Sequence, residues 1–168
     1  MKTLVVCGAT ASGKTGFAVK MAEAIGGEVV SADCMLVYKG LNIGTAKPTK
    51  EEMRGVRHHM IDVAEPSQSY SVADYETGAE SVLARLAECG KPAVICGGTG
   101  FYIQSLLFSR GLGGAPADEN IRREYEEIAE RDGKEALHDL LKMVDAESAD
   151  KLHPNDVKRV IRALEIYR

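Results

Sequence analysis

The chain has 168 residues, enough for one domain with a substantial core or one domain plus a small insert. A hydrophobic content of 45% and a charged content of 27% are those of a soluble globular protein; with no membrane-length apolar run and no signal-peptide layout, a cytoplasmic, membrane-free protein is expected. The formal net charge of −4 excludes a globally basic nucleic-acid binder, so any contact with a polyanion has to come from a local patch.

Residues 3–7 are an apolar run that reads as a central, fully buried parallel strand, and residues 14–25 have helical periodicity, with Phe17, Ala18, Met21, Ala22 and Ile25 on one face. Gly26-Gly27 ends that helix. Between strand and helix lies Gly8-Ala9-Thr10-Ala11-Ser12-Gly13-Lys14-Thr15, which matches every fixed position of a phosphate-binding loop in its required setting. Gly8 and Gly13 permit backbone conformations and close approaches that a side chain would block. The loop N–H groups and the positive helix end then converge on an anion. Lys14 adds a mobile cation, and Thr15 offers a hydroxyl to Mg²⁺. The expectation is a di- or triphosphate site.

A short strand, Glu28-Val29-Val30-Ser31, carries Asp33 just past its carboxyl end. Ligands in open α/β sheets bind at that rim, so Asp33 is a site candidate, with a turn-capping aspartate as the alternative. Residues 35–50 read as a short helix and a loop rich in Gly, Thr and Lys, suited to binding. His58-His59 precede Met60–Val63, read as a short strand; with no further ligand at a metal spacing, the histidines read as structural or surface groups. Ser71 and Asp74 open the next helix with a capping-box arrangement, and Gly90 and Pro92 stop it. Ala93-Val94-Ile95-Cys96 reads as a buried strand running into Gly97-Gly98-Thr99-Gly100, which brings Thr99 to the rim as a ligand for Mg²⁺ or a phosphate oxygen. The four cysteines form no C-x-x-C pair, and reduced core thiols are the favoured reading.

At Gly111–Pro116 the style changes. Residues 118–150 are acidic and read as two or three amphipathic helices, a helical insert or lid, with a plain solvated extension as the alternative. After His153-Pro154, Asn155 is placed as the cap of a helix with Val157, Val160, Ile161, Leu164 and Tyr167 facing inward. Residues 151–168 carry five basic side chains against two acidic ones, a patch suited to RNA phosphates or to solvent.

In order along the chain, the phosphate loop, Asp33–Gly40, Ile43-Gly44-Thr45-Ala46-Lys47-Pro48 and His58–Asp62 resemble the tRNA dimethylallyltransferase (tRNA isopentenyltransferase) family. Pro66-Ser67, Ser71–Tyr75, Gly97-Gly98-Thr99, His153-Pro154-Asn155-Asp156 and Arg162-Ala163-Leu164-Glu165 extend the resemblance over the whole chain. It implies a P-loop NTPase-like α/β fold, a parallel sheet flanked by helices with a small all-helical insert. The expected divisions are a core at 1–114, an insert or lid at 115–152 and a helix returning to the core at 153–168. The implied reaction moves a dimethylallyl group from dimethylallyl diphosphate to N6 of the adenosine 3′-adjacent to the anticodon in tRNA. Residues 8–15 then hold the departing diphosphate, with Mg²⁺ on Thr15 and Thr99. Asp33 orients the amine and accepts its proton, and Thr99 helps position the reacting groups. By the same resemblance Asp33, Cys34, Met35, Leu36, Tyr38, Arg122, Lys158, Arg159 and Arg162 meet the tRNA anticodon stem-loop. A monomer is expected.

The chain departs from the family pattern at Ala9, Cys34, Asn42 and Lys158, where Pro, Ser, Asp and Gln are common. Family members also continue past the last helix, so a C-terminally shortened member with an exposed sheet edge is expected. Three other functions fit parts of the pattern: a prenyltransferase acting on free adenine nucleotides, a small-molecule kinase, and an inactive remnant that binds RNA or diphosphate.

Overall fold

The phosphate-loop sequence joins β1 (Thr3–Cys7) to α1 (Lys14–Ile25). Then follow β2 (Glu28–Ser31), α2 (Lys50–Met53), β3 (His58–His59), α3 (Val72–Glu88), β4 (Ala93–Gly97) and α4 (Gly100–Phe108). This computed structural model describes residues 2–108 and 117–168. The chain divides into two units, Met1–Leu112 and Gly113–Arg168. The Gly111–Pro116 linker expected from sequence lies outside the described residues.

The first unit is an α/β sheet with strand order β1-β4-β2-β3, every pair parallel. Consecutive parallel strands require crossovers, supplied by α1 between β1 and β2, by the segment with α2 between β2 and β3, and by α3 between β3 and β4. Successive residues of the strands face opposite sides. Val30 and Ile95 therefore join Val37, Tyr75, Ala79, Leu86 and Tyr102 in one core, while Val29, Val94 and Cys96 pack with Ala18 and Ala22 of α1 in another. The Tyr75 and Tyr102 rings stack at 3.9 Å and clamp α3 to α4. Among the described residues no helix is long and apolar enough to cross a membrane.

Several local expectations change. Among the described residues β1 is an edge strand, not a central one: β2 and β4 are buried along their whole length, whereas β1 is half-buried at most and leaves Leu4 36% exposed. Its apolar run reports two covered faces but not a second neighbour. Phe17 points outward from α1 and is 55% exposed. Residues 35–49 hold turns and no helix; α2 starts only at Lys50, capped by Thr49, whose hydroxyl and Glu52 make a reciprocal capping box. The strand expected at 60–63 is instead β3, two residues earlier, because Met60 and Asp62 adopt left-handed φ of 61° and 57°, which a strand cannot contain. The capping box expected at Ser71 and Asp74 is present.

The second unit is helical: α5 (Glu119–Asp132), α6 (Lys134–Val144), α7 (Ala146–Lys151) and α8 (Val157–Tyr167). Leu137 and Leu141 of α6, Ala149 of α7, and Val160, Ile161 and Leu164 of α8 form its core. The apolar stripe of α8 is thus buried on α5 and α6. Its N-cap is Asp156, without a side-chain cap bond, in place of the expected Asn155, whose backbone N–H donates to His153 Nδ1 at 3.1 Å. Tyr167, expected to face inward, is 62% exposed.

Candidate active site

The loop between β1 and α1 has a backbone that favours glycine at two points: Gly8 at φ 154° and Gly13 at φ 79°. Ala11 is also left-handed, at 63°, a conformation that costs a residue with a Cβ and that clusters at ligand sites. Gly13 is the N-cap of α1 and brings no side-chain cap, so the first-turn N–H groups stay free of a competing side chain. No acidic residue sits in that turn to use up the helix's positive end. The Lys14 ammonium folds back to donate to the carbonyl of Ala9.

Two cavities open on this loop. One of about 450 Å³ is lined by Ala11–Gly16 and, opposite them, by Ala46, Pro48 and Glu52. A smaller one of about 110 Å³ joins Thr10, Ala11, Lys14 and Thr15 to Asp33, Leu36, Thr45, Ala46 and the Cys96–Gly98 strand end. The sheet therefore brings Lys14, Thr15 and the Asp33 carboxylate onto the walls of one small chamber.

Asp33 is held by a local turn in which its Oδ1 accepts the Met35 N–H at 2.9 Å, leaving the second oxygen without a protein donor among the described residues. Thr99 fixes the same turn from the other strand end: its Oγ1 accepts the Cys34 N–H at 2.9 Å. The Thr99 N–H donates to the Ala32 carbonyl at 3.1 Å. These bonds draw β2 and β4 so close that a Cβ on Gly97 would lie 2.0 Å from the Ala32 carbonyl oxygen. Cys34 and Met35 are exposed beside the chamber, Leu36 lines it, and the Tyr38 backbone pairs with Ala64.

Behind Thr15 a third cavity of about 20 Å³ is lined by Ser31, His58, Leu36, Pro48 and Cys96 among others. Ser31 Oγ and His58 Nε2 are buried there without a hydrogen-bond partner among the described residues. His58 Nδ1 lies 2.9 Å from the Val56 carbonyl, which makes it the donor and leaves Nε2 as an acceptor. Burial pushes the His58 pKa below its ordinary value. His59 is buried in a different network, with Nε2 2.6 Å from Glu28, which also takes Lys91 at 2.6 Å.

The other predicted site residues, Arg122, Lys158, Arg159 and Arg162, belong to the second unit. Arg122, Lys158 and Arg162 line a cavity of about 370 Å³ with Glu119 and Glu126. The two arginines find acidic partners inside the unit. Buried Glu165 pairs with Arg122 at 3.0 Å and Arg162 at 2.6 Å, and accepts the Asp118 N–H at 2.7 Å. Burial alone would raise the Glu165 pKa, but these bonds hold it below the ordinary carboxylate range. Arg159 pairs with Asp156 at 3.3 Å.

Sequence reasoning assigned no individual role to Lys47, Glu165 or the Ser31–His58 pair. Only the motif blocks containing Lys47 and Glu165 signalled them. The cysteines are free thiols, but Cys7, Cys34 and Cys89 are exposed and only Cys96 is buried, where the expected core thiols would have been. Their strands and helices end at the surface, at the rim or beside a turn.

The profile of the IPP transferase family matches residues 36–168. The chain is 45% identical over 166 residues to a tRNA dimethylallyltransferase of Geobacillus thermodenitrificans, which covers 99% of this chain and 53% of that protein. It is 46% identical over 167 residues to one from Caldanaerobacter subterraneus subsp. tengcongensis, with the same two coverages. The chain thus spans about half the length of the curated relatives it matches. Among solved structures, the full-length tRNA isopentenylpyrophosphate transferase of Bacillus halodurans aligns at TM-score 0.66 and 45% identity, over 98% of this chain and 55% of its own. A eukaryotic dimethylallyltransferase solved in the course of acting on tRNA aligns at TM-score 0.83 and 30% identity, over 99% of this chain and 42% of its own.

Proposed function

The chain belongs to the IPP transferase family, and from that premise we propose that it transfers a dimethylallyl group from dimethylallyl diphosphate to N6 of the adenosine 3′-adjacent to the anticodon in tRNA. The observation that carries this reading is the shared chamber, with a phosphate loop on one wall and a carboxylate with one uncommitted oxygen on the other. The loop holds the leaving diphosphate, and the carboxylate beside it supplies the proton acceptor that transfer to an amine requires.

The chain's own groups divide the work as follows. Loop N–H groups, the α1 N-terminus and Lys14 hold the diphosphate, and Lys14 has only the Ala9 carbonyl to relinquish. The allylic C–O bond breaks and its electron pair leaves on the diphosphate, where these fixed positive groups stabilise it. The N6 lone pair forms the new C–N bond, and its proton passes to Asp33. Thr99 holds the Asp33–Cys34 turn in place through the Cys34 N–H.

Mg²⁺ fits the oxygen donors present. The Thr15 hydroxyl lines the chamber, whereas Thr99, the other expected ligand, is not among its lining residues and turns its Oγ1 to the Cys34 N–H; no cluster of three or more His, Cys, Asp or Glu side chains forms a metal cage among the described residues. That is the setting of an ion bound mainly through substrate phosphates. When bound, it neutralises charge on the leaving diphosphate. Met35, Leu36 and Tyr38 would meet the flipped base. Arg122, Lys158, Arg159 and Arg162 would meet RNA phosphates.

The test is transfer of label from radiolabelled dimethylallyl diphosphate to an anticodon stem-loop. The adenosine stem-loop should be labelled, its guanosine version should not, and Asp33→Ala should abolish labelling while diphosphate binding persists. Transfer by Asp33→Ala at the wild-type rate would remove Asp33 as the base. Transfer of the γ-phosphate of ATP to a small acceptor would replace the reading with a kinase.

A further inference from the structure

Lys47 lies in a loop facing a phosphate site, which invites the assignment of a second diphosphate ligand. Its geometry says otherwise. The side chain is only 6% exposed, and the ammonium donates to the Asp62 carboxylate at 2.5 Å and the Tyr38 carbonyl at 2.7 Å. Both bonds point it toward other segments of the first unit. The 36–39 and 60–64 segments are already stitched by backbone bonds, Asp62 N–H to Leu36, Val63 and Ala64 N–H to Val37, and Lys39 N–H to Ala64. Lys47 clips the 42–48 loop to both of them, while its own N–H donates to the Asn42 carbonyl at 3.1 Å.

This clip has something to hold. Ala46, the residue before it, has a left-handed φ of 50° and lines both phosphate-loop cavities, and Pro48, the residue after it, lines the larger one. Asp62 is left-handed as well, at 57°. Non-glycine residues hold such conformations only where the surroundings over-determine them. Pro48 is buried at the carboxyl end of the loop, but Leu41–Gly44 and Ala46 are exposed, Ile43 at 97%, so apolar burial fixes only that end.

We propose that the Lys47–Asp62 pair is a latch that holds the 43–48 loop as the second wall of the phosphate site, Lys47 being a positioning residue and not a ligand of the diphosphate. The proposal rests on the reading of residues 8–15 as a diphosphate site. Asp62→Asn keeps the left-handed backbone that asparagine tolerates and removes only the charge. Lys47→Met keeps the aliphatic stem.

The experiment measures the affinity of the full chain for inorganic diphosphate with Mg²⁺ by calorimetry, and amide exchange over 42–47 without ligand. A latch predicts that each variant weakens binding about three- to tenfold, and that the double variant is little worse than either. Exchange over 42–47 rises in both, with β2 and β4 unchanged. In turnover the variants raise KM for the allylic diphosphate and leave kcat within about twofold. If Asp62→Asn leaves affinity unchanged or tighter while Lys47→Met loses it, Lys47 is a direct ligand and the latch is wrong. Unchanged exchange in both variants also overturns it. If Lys47→Met disturbs β4, Asp62→Asn carries the test alone. A Lys14→Ala arm separates the premises: if it leaves diphosphate binding intact, the site reading fails, whatever the latch does.

Discussion

Gly97→Ala tests the packing that creates the chamber. A Cβ at this position would sit 2.0 Å from the Ala32 carbonyl oxygen and 2.3 Å from its carbonyl carbon. Reaching an ordinary carbon–oxygen contact requires a shift of about 1.4 Å. The obstacle is backbone and is pinned on both sides: Ala32 N–H donates to Cys96 at 2.8 Å, and Ala32 accepts from Thr99 N–H at 3.1 Å. Such a shift breaks both bonds, at about 1 kcal/mol each, and adds an overpacking cost of about 1–3 kcal/mol. The expected loss is about 3–5 kcal/mol, a large share of the ~5–15 kcal/mol that holds a domain. Urea unfolding followed by circular dichroism should show a midpoint lower by about 2 M at ordinary cooperativity. Gly98→Ala is the control, because its nearest contact is the Gly8 carbonyl at 3.7 Å. It should lie within about 0.5 kcal/mol of wild type. A Gly97→Ala protein as stable as Gly98→Ala would refute the argument that this close approach fixes Asp33 and Thr99.

Glu165→Gln leaves two guanidinium groups facing a neutral amide, and should cost the second unit about 2–3 kcal/mol at pH 7 by thermal unfolding. Because the folded Glu165 pKa is held below the ordinary glutamate value of 4.5, its stabilisation is complete above 4.5 and is lost as pH falls below it, so the variant should flatten the acid limb of stability against pH. His58 behaves likewise near neutrality. Its pKa is lowered from 6.5 by burial, so the unfolded chain binds a proton first and stability declines as pH falls below 6.5. His58→Gln should reduce that decline in urea unfolding at pH 7.5 and pH 5.5.

The phosphate loop, the helix after it, β2, α3 with its capping box, and β4 are legible in the sequence because each is fixed locally, by periodicity, by caps or by glycines with a defined task. The place of β1 is not local. Thr3–Cys7 reads as a covered strand, and only pairing decides that β4, late in the chain, inserts between β1 and β2. The turns at 35–49 and 60–63 were missed for a related reason. Ala46, Met60 and Asp62 are left-handed without being glycine, and Asp62 is held there by bonds remote in sequence, its N–H to Leu36 and its carboxylate to Lys47. Gly97 and Gly98 are equivalent in sequence, yet one abuts a backbone carbonyl and the other meets nothing closer than 3.7 Å.

Charge was the least legible property, since a residue's chemistry depends on what already holds it. Lys14 and Lys47 both stand in glycine-containing motifs beside the same cavity. Lys14 is held by a single carbonyl of its own loop, and a diphosphate offers an ammonium a far better partner. Lys47 is buried against a carboxylate, and withdrawing it would leave Asp62 unpaired and the loop without its tie. Arg122 and Arg162 follow the same logic around Glu165, whose burial makes breaking the pair costly. A cation in a binding motif is therefore a ligand candidate only to the degree that its resting partner is weaker than the anion it is meant to hold. On that criterion Lys14 is the ligand candidate for a diphosphate, and Lys47, on the latch proposed above, shapes the wall.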